Sequence, residues 1–132
     1  MDFLNPASWA APRGYSNGVA AEGRQIFVAG QIGWNAHGEF ETNDFVAQAR
    51  QALSNVVTVL ATGGARPEHI ARLTWYVLDR RAYLDNLGPL GRAYRDIIGA
   101  HYPAMTLLQV AGLAEDRALV EIEATAVVPP GA

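Results

Sequence analysis

The stretch VEIEATAVV, residues 120–128, sets two carboxylates, Glu121 and Glu123, two positions apart. Alternate residues of an extended strand share a face. Both carboxylates therefore project with Thr125 and Val127, opposite Val120, Ile122, Ala124, Ala126 and Val128. A carboxylate in a partly dry cleft can hold a water and pass protons, the work of a general acid/base. The competing reading is structural: charges on an edge strand face water and discourage stray pairing. Other residue sets are poorer. His37, His69 and His101 are far apart and never at the i, i+4 spacing of a helical metal pair, so no metal site is expected. Ser8, Ser16 and Ser54 lie in no nucleophile-elbow pattern, and GQIGWNAHG does not open a helix as a dinucleotide fingerprint would. Gly30, in mid-strand, marks a bulge or a close approach of backbone, explained by tight packing or by a ligand against its amide.

Such residues need a scaffold, and composition bounds it. With 132 residues, 50% of them hydrophobic, the chain can form one compact domain with a real core. A net charge of −3 without a block of like charges argues against nucleic acid or an anionic membrane as partner. The absence of cysteine excludes disulfides, thiol nucleophiles and thiolate metal sites, and favours a reducing cytosol. No apolar run approaches the roughly 20 residues of a membrane span. Residues 1–14 lack the charged and apolar regions of a signal peptide. A soluble, cytoplasmic domain is expected.

Periodicity supplies the elements. Residues 1–14, with Asn5-Pro6, Pro12 and Gly14, read as an irregular leader, and 129–132 as a tail. Residues 15–20 and 25–32, separated by Glu22-Gly23, predict a β-hairpin. From Asp44 the apolar positions Phe45, Ala49, Ala52, Leu53, Val56, Val57 and Leu60 recur at helical spacing. Thr42, Asn43 or Asp44 can cap that helix, and Gly63-Gly64 ends it. ARLTWYVLD reads as a strand. A second helix is expected over 81–99, kinked or restarted at Gly88-Pro89, with Pro89 tolerated in a first turn. AMTLLQVAGL and ALVEIEATAVV then read as two strands of an antiparallel hairpin. The order is β-β-α-β-α-β-β, an α+β class with two helices on one sheet face.

That arrangement leaves one face of the sheet uncovered. Leu73, Trp75 and Val77 lie on one parity of their strand, and Thr74, Tyr76 and Leu78 on the other. Met105, Leu107, Ala111 and Leu113 similarly oppose Leu108 and Val110. A half-solvated sheet shows polar residues on one parity, whereas here both are largely apolar. A second copy of the chain is the simplest cover, so a homo-oligomer is expected.

Five stretches, RGYSNGV at 13–19, IFVAGQIG at 26–33, QARQALSNVVTVLATGGA at 48–65, YPAMT at 102–106 and VEIEATAV at 120–127, occur in unbroken order. Together they resemble the Rid/YjgF family, the reactive intermediate deaminases. The resemblance implies a chorismate-mutase-like fold assembled as a homotrimer, with ligand clefts between subunits. It implies hydrolysis of enamines and imines to ammonia and a keto acid, without metal or organic cofactor. It also assigns residues. Tyr15 stands beside the ligand, with the backbone of Ala29, Gly30 and Gln31, and Ala29 replaces the family serine. Glu121 is the carboxylate that holds the attacking water, with Glu123 a structural or rim residue. The family asparagine of the second helix falls at Gly91, and the arginine of the PAR motif is replaced by Met105.

That last change bears on substrate. Loss of one partner of a buried charge pair costs about 2–5 kcal/mol, and methionine offers no donor. Small 2-imino acids should therefore bind poorly unless Arg13 or Arg117 brings another cation into the cleft. Three readings follow: an imine or enamine deaminase acting on a larger or less anionic substrate, a non-catalytic trimer that binds a small metabolite, and, ranked last on the acidic charge, a ribonuclease.

Overall fold

Asp44 caps a helix over Phe45–Thr62 (α1) in the computed structural model, which describes residues 1–132. Its carboxylate accepts from the Ala47 N–H at 2.9 Å, satisfying one of the free donors of the first turn. Gly63 ends the helix and Gly64 follows at φ 77°, a backbone region where only glycine is unstrained. Phe45, Ala49, Ala52, Leu53, Val56 and Leu60 are all buried, as their spacing requires.

Apart from a single 3-10 turn at Pro67–His69, the remaining elements, in chain order, are the strands β1 (Asp2–Phe3), β2 (Val19–Ala20), β3 (Arg24–Ile32) and β4 (Ile70–Val77), the helices α2 (Arg80–Leu84) and α3 (Leu87–Ile97), and the strands β5 (Ala104–Gln109) and β6 (Val120–Val128). The second helix is thus broken, and the break lies at Asp85-Asn86, just before the expected Gly88-Pro89. Pro89 sits in the first turn of α3, where no intrahelical N–H is required of it. The fold is α+β, with the helices on one face of a four-stranded sheet. No helix is long and apolar enough to cross a membrane.

Strand pairing departs from the sequence reading in two places. Residues 15–20 do not form a hairpin with 25–32. β2 pairs antiparallel with β1, inside the stretch read as an irregular leader, while β3 pairs with β6. The last two strands are not a hairpin either. The sheet order is β3-β6-β4-β5, with β5 parallel to β4 and β6 between β3 and β4. The reason is burial. β6 alternates strictly between buried and half-buried residues, the pattern of an interior strand, whereas β5 exposes Thr106, Leu108 and Gln109 and suits an edge. The connection 110–119 is long enough to pass over β4. β5 also stops at Gln109, so Ala111 and Leu113 lie outside it.

The core is the inner parity of the sheet packed on α1 and α3: Leu73, Trp75 and Val77 of β4 and Val120, Ile122 and Ala124 of β6 meet Leu53, Val56 and Leu60. The outer face carries Thr74, Tyr76, Glu121, Glu123 and Thr125, so it is mixed rather than uniformly apolar. Its apolar side chains stand at the two edges, Phe27 72% exposed on β3 and Leu108 47% exposed on β5.

One buried polar side chain ties α1 to the start of β6. Gln48 is fully buried. It donates to the carbonyls of Thr42 (3.1 Å) and Arg117 (3.0 Å) and accepts from the Leu119 N–H (2.9 Å). Gly33 lets it in, since a Cβ there would lie 2.6 Å from the Gln48 Cβ. Gln48→Leu would leave that N–H and two carbonyls unpaired. At about 1–3 kcal/mol for a buried orphan group, a stability loss of about 3 kcal/mol is expected, read from the urea midpoint at unchanged m-value.

Candidate functional site

The two glutamates of β6 have different surroundings. Because β6 is paired on both sides, they do not guard an edge, and the edge-strand explanation falls. Glu123 is committed: its carboxylate accepts from the Tyr76 hydroxyl at 2.7 Å across the β4–β6 pair. Glu121 has no hydrogen-bond or ion-pair partner within the chain. Its side chain lies across Gly30, where a Cβ would stand 2.6 Å from the carboxylate carbon, so only glycine leaves the carboxylate its place. Gly30 therefore marks both features that a mid-strand glycine suggests, a close approach and a bulge. The β3–β6 register slips between Val28 and Gln31, leaving Ala29 and Gly30 without partners on β6. Both are exposed, and the Gln31 amide folds back to donate to the Ala29 carbonyl at 3.0 Å. A free carboxylate beside unpaired backbone can hold a polarised water or a small polar group.

A second group gathers at the opposite edge of the sheet. Ser16, buried, donates its hydroxyl to the Tyr102 carbonyl (2.7 Å) and its N–H to the Pro103 carbonyl (3.0 Å). That anchorage sets the neighbouring Tyr15, 40% exposed, beside the start of β5. Here a cavity of about 440 Å³ opens between α3 and β5, walled by Trp75, Tyr83, Leu90, Tyr94 and Leu107. Met105 and Gly91 line it, as does Arg13, together with Arg95. Neither arginine has an ion-pair or hydrogen-bond partner. Arg117 is elsewhere. It donates to the Phe40 carbonyl (3.2 Å) and Asn43 Oδ1 (2.8 Å) and stacks over the Phe40 ring, so it does not stand in for an arginine at Met105.

The sequence-assigned residues thus fall into two sets, Ala29, Gly30, Gln31 and Glu121 on one side and Tyr15, Gly91 and Met105 on the other. β3 and β5 are three strand spacings apart, about 14 Å. Met105 shares a register position with Leu73 on the helix side, while Glu121 pairs with Tyr76 on the outer face. Within one chain the two sets do not converge.

Two features escaped the sequence reading. Arg95, four positions after Gly91, shares its helix face, a spacing that could have revealed it. Trp75 gave no such signal. It is 3% exposed, and its indole N–H is buried with no acceptor, a deficit worth about 1–3 kcal/mol that no pattern of residue types displays.

Two of the three histidines serve the fold. His69 Nδ1 accepts from the Arg66 N–H at 3.0 Å, His101 Nε2 contacts the Ile70 carbonyl at 2.7 Å, and His37 is exposed. Three tyrosines hold their protons beyond the ordinary value of 10.0: Tyr76 through its hydrogen bond to Glu123, Tyr83 and Tyr94 chiefly through burial. The unfolded chain would release these protons near pH 10 while the folded chain keeps them. The stability these three tyrosines contribute is therefore fully present below about pH 10 and is lost as pH climbs past it. The urea midpoint should drop in that range, and less steeply in Tyr94→Phe.

Known proteins place this geometry in context. The pattern of the family described as Endoribonuclease L-PSP matches residues 6–128. A 2-iminobutanoate/2-iminopropanoate deaminase of Capra hircus is 30% identical over 117 residues, 88% of this chain and 81% of that protein. The Escherichia coli K12 protein of the same name is 33% identical over 108 residues, 80% of each chain. The crystal structure of YyfB from Yersinia pestis, of the conserved Rid protein family, superposes with a TM-score of 0.86 at 35% identity, covering 96% of this chain and 98% of that one. With this match along nearly its whole length, the chain belongs to the Endoribonuclease L-PSP family and, within it, to the Rid/YjgF proteins.

Proposed function

We propose that this protein is an imine and enamine hydrolase whose site closes between copies of the chain. The observation that carries the reading is the unpartnered Glu121 carboxylate lying across Gly30, at a bulge with unpaired backbone. The deaminase names of the Capra hircus and Escherichia coli relatives support it. In the proposed reaction an enamine first takes a proton from the medium at carbon and gives one back from nitrogen, becoming the imine. A water held by Glu121 then adds to the imine carbon, its oxygen forming the C–O bond while the carboxylate takes the proton. The nitrogen gains a proton from the medium, and the carbinolamine forms. Return of the Glu121 proton to nitrogen and loss of the hydroxyl proton expel ammonia and leave the carbonyl. Water is the only co-reactant.

The separation of the two residue sets supports a shared site. Set on different edges, they meet when the β3 edge of one copy docks on the β5 edge of the next. Such a contact is head-to-tail and builds a ring when its rotation closes; the resemblance to Rid proteins favours a ring of three. Phe27 and Leu108 then supply the apolar part of the contact. Ammonia release from imines generated in situ tests the activity. Turnover above the uncatalysed rate is expected for at least one imine, and none across a panel of small and large imines would contradict it.

A second reading, binding without turnover, draws on the apolar character of the β5-side cavity and on the lack of a polar side chain at Ala29, Gly91 and Met105. Saturable binding of an acid or amine without ammonia release would favour it. RNA cleavage lost in Glu121→Gln would instead favour the nuclease suggested by the family description.

A further inference from the structure

We infer that the cavity between α3 and β5 is a binding pocket for an arylalkyl carboxylate, which makes large aromatic 2-imino acids the substrate class of the site proposed above. The inference rests on that reading for its chemistry but not for binding. Three observations point to such an occupant.

The first is size: about 440 Å³ lies within the range of small-molecule sites and holds a phenyl or indolyl group with its side-chain linker. The second is the wall, in which the aromatic rings of Trp75, Tyr83 and Tyr94 face a space that Leu90 and Leu107 complete. Trp75 and Tyr83 meet edge to face at 6.3 Å, a surface suited to another ring. Charge is the third. Arg13 and Arg95 are exposed and unpaired, and no acidic residue lines the cavity, so its rim selects an anion in a chain of net charge −3. Two guanidinium groups offer the planar donors that a carboxylate accepts, in place of the arginine that Met105 replaces.

Gly91 keeps the space open. It lies in the interior of α3, where glycine is a poor helix former, and a Cβ there would meet nothing within 4 Å. Gly91→Leu should therefore keep the fold and fill the pocket.

Calorimetry with unreactive acids tests the pocket apart from any turnover, and on Glu121→Gln as well as wild type. The probes are 3-phenylpropanoate and butanoate. The aromatic acid is expected to bind at least about tenfold more tightly than butanoate. Gly91→Leu should abolish binding, and the Arg13→Ala/Arg95→Ala pair should weaken it at least about tenfold. Absence of binding by the aromatic acid would overturn the inference, as would binding unaltered by the arginine pair, which also decides the matter should Gly91→Leu misfold. Binding without ammonia release would remove the hydrolase and leave the pocket. Ammonia release with small imines alone would do the reverse.

Discussion

Glu121→Gln is expected to lower the rate of imine hydrolysis by about two to four orders of magnitude, the usual contribution of a positioned general acid/base. Glutamine keeps the shape of the side chain and its place across Gly30 but can neither take a proton from water nor return it to nitrogen. Because Glu121 has no partner within the chain, its replacement breaks no internal hydrogen bond or ion pair. Folding stability and oligomeric state should stay at wild-type values, which separates a chemical defect from a structural one. Tyr76→Phe is the control. It removes the hydrogen bond to Glu123 on the same face and should change the rate less than about tenfold, since neither group handles the transferred proton. Equal rates for Glu121→Gln and wild type would remove Glu121 from the mechanism.

Phe27→Asp has the second large effect. Phe27 is 72% exposed in the isolated chain, so the monomer fold does not depend on it. In the proposed assembly it is covered by the next copy, and an unpaired charge there opposes association by several kcal/mol. Sedimentation at micromolar concentration should show wild type as an oligomer and Phe27→Asp as a folded monomer by circular dichroism, with hydrolysis lost together with assembly. Full activity in a monomeric variant would mean that one chain suffices.

What the sequence disclosed, and what it did not, follows from the range of the interactions concerned. α1 was legible from Asp44 to Gly63 because its cap, its apolar spacing and its terminating glycines are all local. The alternation in β6 was equally plain. Pairing was not, since the choice of neighbour rests on contacts distant in sequence. Asp2–Phe3 looked irregular because its partner is Val19–Ala20, and β5 looked like half of a hairpin although it lies beyond β4, parallel to it. The site shows the same division. Residue type and order marked Glu121 and Gly30, and the fold set the one across the other. Which glutamate was free depended on Tyr76, on a different strand. The reach of Arg13, the diversion of Arg117 to Phe40 and Asn43, and the orphaned N–H of Trp75 are properties of packing that no motif records.

Subunit complementation tests most directly whether active sites form only where copies meet. Glu121→Gln disables the β3-side contribution, and a Tyr15→Ala/Gly91→Leu double variant disables the β5-side contribution. Each protein alone should release almost no ammonia. Unfolded together in equal amounts and refolded, they should recover about a quarter of wild-type activity, the fraction of junctions at which random ring assembly joins an intact β3 side to an intact β5 side. A mixture as inactive as its separate components, despite verified mixed assembly, would show that no junction between copies makes a working site.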